Sequence, residues 1–129
     1  MPSLLPSEMQ SPDLSRREWT WSRTEKAIAR KAFDGALQRE LQEVIEETKR
    51  MASAITQPGE LWELENHLAE RRKQIDRKYQ FRESRRTDSL GQLLYEKRLT
   101  EAELSGLGQE KLAAIRSYAQ FRGEMSVDI

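Results

Sequence analysis

Leu37-Gln-Arg-Glu-Leu41-Gln-Glu-Val44-Ile-Glu-Glu-Thr48-Lys-Arg-Met51-Ala-Ser-Ala-Ile55 decides the fold. Leu37, Leu41, Val44, Thr48, Met51 and Ile55 step by four and three residues alternately, the spacing of a coiled-coil seam. No proline interrupts the chain between Pro12 and Pro58. Helical spacing extends back through Phe33 and Ile28 to Ser22-Arg23-Thr24-Glu25, a capping box in which hydroxyl and carboxylate each satisfy an orphan amide. A helix from Ser22 to Ile55 would be roughly 50 Å long at 1.5 Å per residue. That is too long for a compact monomer of 129 residues. A buried leucine or isoleucine contributes on the order of 1.5–3 kcal/mol of transfer free energy. The expectation is therefore that the seam pairs with a second copy of the chain.

The remaining punctuation divides the chain further. Thr56-Gln57-Pro58-Gly59 ends the first helix, and Pro58 suits the first turn of a second one reaching about Ser84. Leu61, Leu64, Leu68, Ile75 and Tyr79 give that helix a buried stripe, with Arg72 in its gap. A third helix is expected over Asp88–Arg98, with Leu90, Leu93 and Leu94 on one face. Thr100-Glu101-Ala102-Glu103 is a second capping box, opening a short turn closed by Gly106 and Gly108. A last helix runs from Gln109 to Arg122, with Leu112, Ile115 and Tyr118 or Ala119 facing inward and Gly123 as its stop. Gly35 weakens the first helix by about 1 kcal/mol relative to alanine and permits another helix to approach. Nothing alternates like a strand. The reading is all-α: two long helices forming an elongated dimer body (residues 19–86) plus a small helical head (87–122). A Pro- and Ser-rich arm precedes them (1–18), and a short frayed tail follows (123–129).

Composition excludes several function classes. Lys and Arg together equal Asp and Glu, at 22 each, so no global field draws nucleic acid or membrane. There are no cysteines, which removes disulfides and thiol catalysis and suits a cytoplasmic location. No run nears the length needed to span a bilayer, and the start lacks the basic and apolar regions of a secretory signal. His67 is the single histidine, so a metal site would rest on carboxylates, and an exposed helical histidine is expected. No phosphate loop, nucleophile elbow or acid–base pair stands out. The chain is read as a non-enzyme with no cofactor.

Trp62 lies one step round from the leucine stripe, where an aromatic is available to a partner. Tryptophan and arginine dominate binding energy at protein interfaces, which makes Trp62 and Arg72 candidate contacts. An Arg72 pair with a glutamate of the first helix is the competing reading. Residues 71–86 carry Arg71, Arg72, Lys73, Arg77, Lys78, Arg82, Arg85 and Arg86 against Asp76 and Glu83. That stretch either binds an acidic partner or nucleic acid, or faces Glu40, Glu43, Glu46 and Glu47 of the first helix.

The order of several motifs resembles the fluorescence recovery protein family of cyanobacteria. They are Trp21-Ser22-x-x-Glu25, Arg30-Lys31-Ala32-Phe33, Arg39-Glu40-Leu41, Leu61-Trp62-x-Leu64, Arg72, Ile75-Asp76, Lys78-Tyr79, Gln92-Leu93-Leu94 and Leu104-x-x-Leu107, covering roughly residues 19–121. The resemblance implies an all-α homodimer that carries no chromophore. It also implies binding to the C-terminal domain of photoactivated orange carotenoid protein, whose return to the resting form such proteins accelerate. By the same resemblance the interface tryptophan falls on Trp62 and its neighbouring arginine on Arg72. Where the family has a His-Asp pair, this chain has Glu65-Asn66. A family aromatic in the head falls on Asp88, and a basic head residue on Ala114. Charge in place of an apolar patch costs a partner several kcal/mol in desolvation. These departures motivate an alternative in which the scaffold binds a different protein. A nucleic-acid-binding helical dimer is the third reading.

Overall fold

The Ser22 hydroxyl accepts from the Glu25 amide and the Glu25 carboxylate accepts from the Ser22 amide, both at 3.0 Å. The expected capping box thus starts α1, Arg23–Ser53, about 46 Å long. The computed structural model describes residues 20–127, so the arm read over residues 1–18, Trp19 and the end of the tail lie outside the described residues. Four α-helices are present among them and no strand. Pro58 occupies the first turn of α2, Pro58–Lys78, as expected. The Glu60 carboxylate accepts from the Thr56 and Gln57 amides at 2.7 and 2.8 Å, closing the turn between α1 and α2.

α2 ends at Lys78, well short of Ser84. Tyr79 and Phe81 both turn onto Phe33, with ring centroids 5.3 and 4.6 Å away. Residues two apart on a helix point in nearly opposite directions, so both rings reach Phe33 only if the helix stops. A 3₁₀ turn, Glu83–Arg85, leads into α3, Arg86–Tyr95, earlier at both ends than expected. Arg86 is buried, its guanidinium 4.7 Å from the centroid of Trp21 and 5.6 Å from that of Phe81. Among the described residues its Nε has no hydrogen-bond partner, and the two aromatic faces, with Glu83 at 3.9 Å, supply its electrostatic compensation.

α3 stops at Tyr95 through a Schellman motif. The Arg98 amide donates to the Leu93 carbonyl and the Lys97 amide to that of Leu94, both at 3.0 Å. Lys97 holds the left-handed position, φ 64°, that glycine usually takes. The Thr100–Glu103 box then forms and starts a second 3₁₀ turn, Glu101–Leu104. α4 spans Gln109–Val127, and Gly123 does not stop it. A Cβ at Gly123 would lie 3.4 Å from the Tyr95 ring, so the glycine sits at a helix contact instead. α3 and α4 cross at Gly91, where a Cβ would meet Tyr118 Cβ at 2.7 Å and the Ile115 carbonyl at 2.9 Å. Gly35 serves no such approach, because a Cβ there would touch only the Arg39 and Glu103 side chains at 3.8 Å.

The core joins the first half of α1 to the head. Ala29, Ala32, Phe33 and Ala36 of α1 pack with Leu90, Leu93, Leu99, Leu104, Leu107 and Ile115. Small residues on α1 let the head helices approach closely, and Phe33 fills the space toward Tyr79 and Phe81. Arg39 makes a forked pair with Glu103 at 3.0 and 2.6 Å, tying α1 to the second 3₁₀ turn. The second half of α1 and most of α2 form an antiparallel hairpin beyond this core.

Candidate protein-docking face

The hairpin has two chemically different sides. Glu40 and Glu47 of α1 meet Arg71 and Lys78 of α2, and Val44, Met51, Leu64 and Ile75, which share their helical faces by spacing, are buried or half-buried. Glu40 is fully buried, with Lys78 Nζ at 3.0 and 3.1 Å from its two oxygens and the Tyr79 hydroxyl donating at 2.8 Å. Arg71 reaches Glu40 and Glu47, each at 3.3 Å. Arg98 Nε lies 3.0 Å from Glu40, close enough for charge pairing but off the hydrogen-bonding direction. Its other nitrogens pair with Glu43 and Glu96.

Burial pushes the Glu40 carboxyl up. The hydrogen bonds from Lys78 and Tyr79 and the charges of Lys78 and Arg98 outweigh that, so it ends below the usual carboxylate range. The Tyr79 hydroxyl is pushed far up, by burial first and then by its bond to Glu40. The Glu47 carboxyl is held low, chiefly by its hydrogen bond with His67 at 3.0 Å. His67 is half-buried against α1, not the exposed residue expected from its neighbours.

About a quarter turn round each helix lies a different surface. On α1 it holds Leu37, Leu41, Ile45 and Thr48, and on α2 Leu61, Leu68, Glu65 and Arg72. Because the helices run antiparallel, both quarter turns bring these residues to the same side of the hairpin. Leu41 is 37% exposed, Ile45 46%, Leu61 50%, Trp62 63% and Leu68 37%. For a chain of this size that is an unusual run of uncovered large side chains along one edge. Leu61 and Leu68 were expected to be buried on the α2 stripe, yet only Ile75 is fully covered there.

The seam residues divide between two environments. Val44 and Met51 are half-buried toward α2, whereas Leu41 is exposed and Leu37 lies half-buried at the edge. Thr48 bonds back to the Val44 carbonyl at 2.7 Å, and Ile55 is half-buried in the turn. Ile45, off the four–three spacing, is more exposed than any seam residue. A strict seven-residue pattern drifts around a straight helix of 3.6 residues per turn, so an exposed apolar side chain of α1 can fall off the four–three spacing.

Arg72 is 84% exposed, with only a loose contact to Asp76 at 3.9 Å. Arg71 makes the pairs to α1 glutamates that were one reading of Arg72. Glu65 and Asn66 are also exposed, so α2 presents Trp62, Glu65, Asn66 and Arg72 outward together. Asp88 stands apart from them, near the start of α3, with Arg85 at 3.8 Å. It shares a shallow groove with Ala114, Tyr118 and Phe121. Phe121 is half exposed there and was missed from sequence, since an aromatic past the expected inward positions reads as the end of a helix. The basic stretch is partly spent on structure. Arg71 and Lys78 turn to Glu40, and Arg86 stacks in the core.

The family model for the photoprotection regulator fluorescence recovery protein matches residues 21–119. The chain belongs to the fluorescence recovery protein family. It is 36% identical over 107 residues to the fluorescence recovery protein of Synechocystis, covering 83% of this chain and 98% of that protein. The solved structure of the Synechocystis protein superposes with a TM-score of 0.74 at 36% identity, covering 78% of this chain and 99% of the other. The Fremyella diplosiphon fluorescence recovery protein gives 0.73 at 33% identity, with the same coverage. The all-α hairpin and head are thus the fold of the fluorescence recovery protein family. No helix among the described residues is long and apolar enough to cross a membrane. The family is a regulatory one, and no group of three or more potential metal-ligating side chains occurs among the described residues.

Proposed function

We propose that this chain is a non-enzymatic homodimer that binds another protein and shifts its conformation. The observation that carries the reading is the uncovered edge formed by Leu41, Ile45, Leu61 and Leu68, with Trp62 beside it. Two copies pairing along that edge would cover the leucines and isoleucine, through the seam from Leu37 to Ile55 and the adjoining side of α2. Trp62, Glu65, Asn66 and Arg72 would form one docking surface, and Asp88 a second contact on the head. Tryptophan supplies apolar anchor area, and the arginine fork suits a carboxylate or paired carbonyls.

Within the family the expected partner is the C-terminal domain of photoactivated orange carotenoid protein. A regulator that speeds its return to the resting form must bind a compact intermediate better than the separated domains, because equal affinity shifts nothing. The test is to mix the purified protein with photoconverted carotenoid protein and follow the red-to-orange decay. Acceleration that Trp62→Ala removes is the expected result. Unchanged decay without co-elution excludes this partner.

A second reading keeps the dimer and changes the target. It is favoured by Asp88, which places a carboxylate in the head groove where the family resemblance implies an aromatic. Under it, Asn66→Asp combined with Asp88→Phe restores carotenoid-protein binding that the native chain lacks. If the double variant still fails to bind, these two positions do not account for the retargeting.

A further inference from the structure

A cleft of about 560 Å³ lies where the last turn of α2, the connector after it and the start of α3 meet, with Tyr118 of α4 at its wall. Arg77 enters from α2, Arg82 from the connector and Arg85 from the 3₁₀ turn. Arg77 makes no side-chain hydrogen bond or ion pair among the described residues. Arg82 donates only to the neutral Gln80, at 2.8 Å. Arg85 has Asp88 at 3.8 Å, too far for a hydrogen bond. Among the described residues Asp88 is the only carboxylate lining the cleft, against these three guanidinium groups. The fourth cation of the lining, Lys78, is already neutralised by Glu40 and Glu96.

The arrangement differs from the rest of the basic stretch. Elsewhere in residues 71–86, Arg71 and Lys78 are matched by glutamates of α1, Arg86 stacks on rings, and Arg72 and Lys73 have only exposed carboxylates of their own helix beside them. Here three arginines from three successive elements line one concave space with Asp88 as the single acid among the described lining residues. Guanidinium forks approaching from several sides fit an oxyanion with several acceptor oxygens, phosphate above all. A strand-like acidic segment would call for cations tracking along a line. The volume falls within the range of about 300–1,000 Å³ typical of small-molecule sites. Gln92, Ser89 and Tyr118 add neutral hydrogen-bonding groups for the rest of such a molecule.

We propose that this cleft binds a phosphate-bearing anion of nucleotide size. Asp88 and Tyr118 also line the head groove on the other side, so a ligand here touches residues of the docking face. Occupancy and partner binding at the head are then linked, each altering the affinity of the other by the same factor.

The test titrates the full chain calorimetrically with ADP, with inorganic pyrophosphate and with a hexaglutamate peptide, at low salt. Saturable binding of ADP and pyrophosphate, one per chain and stronger than hexaglutamate, is expected. Arg77→Ala with Arg82→Ala should weaken it by at least about tenfold. Lys49→Ala, at an exposed lysine near the far end of α1 whose ion-pair partner is Glu46, should leave it unchanged. Asp88→Asn should tighten binding severalfold by removing the one opposing charge, a gain that misfolding cannot produce. No saturable binding of either phosphate overturns the proposal, as does binding that survives the double arginine substitution. Stronger binding of hexaglutamate, abolished by the same pair, also overturns it and assigns the cleft to an acidic protein segment.

Discussion

The Glu25 carboxylate, inside the first turn of α1, accepts from the Gly108 amide at the start of α4 at 2.8 Å, across 83 residues of sequence. One carboxylate therefore caps its own helix and fastens the beginning of another. Lys111 completes the junction, donating to Glu25 and to the Thr20 carbonyl at 2.7 Å each. These contacts hold the Glu25 carboxyl down to about 2, with the Lys111 hydrogen bond the largest cause.

The pH dependence of stability follows from that shift. A carboxyl depressed in the folded chain takes up its proton first on unfolding, so its contribution is complete above about 4.5. It is lost progressively as pH falls toward about 2. Glu40, Glu47 and Glu103 are lowered too and act in the same sense. Thermal midpoints measured across this window should drop steeply in the native chain and less steeply in Glu25→Gln. At neutral pH that variant should be less stable by about 2 kcal/mol, the full shift being discounted for solvent screening.

Removing the buried acid of the hairpin should be more damaging. Glu40→Ala leaves Lys78, Arg71 and Arg98 facing one another without their shared counter-ion. A loss of about 3–5 kcal/mol is expected. Urea unfolding followed by far-ultraviolet circular dichroism measures it, and a loss below about 1 kcal/mol would show that water takes over the role of the carboxylate.

Two backbone positions in the head should respond with opposite signs. Gly91→Ala forces a methyl into Tyr118 and the Ile115 carbonyl, and the helices must separate or strain, at a cost of about 1–3 kcal/mol. Lys97→Gly relieves a left-handed residue and should stabilise by about 1 kcal/mol. The same denaturation curves report both.

The proposed self-association rests on the uncovered side of the hairpin. Ile45→Glu places a charge in its middle and should weaken dimerisation by far more than tenfold, about 2 kcal/mol or greater. Glu46→Gln, one residue on and turned to the polar side, should have no such effect. Sedimentation velocity over a dilution series separates these outcomes. If the native chain sediments as a folded monomer at micromolar concentration, the pairing is wrong.

Local signals were legible wherever neighbours in sequence supply both partners. Ser22 with Glu25, Thr100 with Glu103 and the proline at the start of α2 each satisfy backbone groups within one turn, so their spacing alone located them. Helix ends set by distant contacts were not. α2 stops for Phe33, and α4 runs past Gly123 because that glycine meets Tyr95. The candidate contacts show the same division: Trp62 could be read as an exposed aromatic from its offset, while Ile45 and Phe121 could not.

The order of the chain thus determined an all-α molecule with a long first helix, its breaks and most of its inward leucines, since helical period and capping act over a few residues. Only the tertiary structure decided that Arg71 and not Arg72 answers the acids of α1, and that Glu40 is buried among three cations. It also decided that Arg77, Arg82 and Arg85 meet at one cleft. Such assignments turn on which side of a helix faces its neighbour. A rotation of about 100° per residue moves a side chain from core to solvent, and that angle is fixed by packing between elements far apart in sequence.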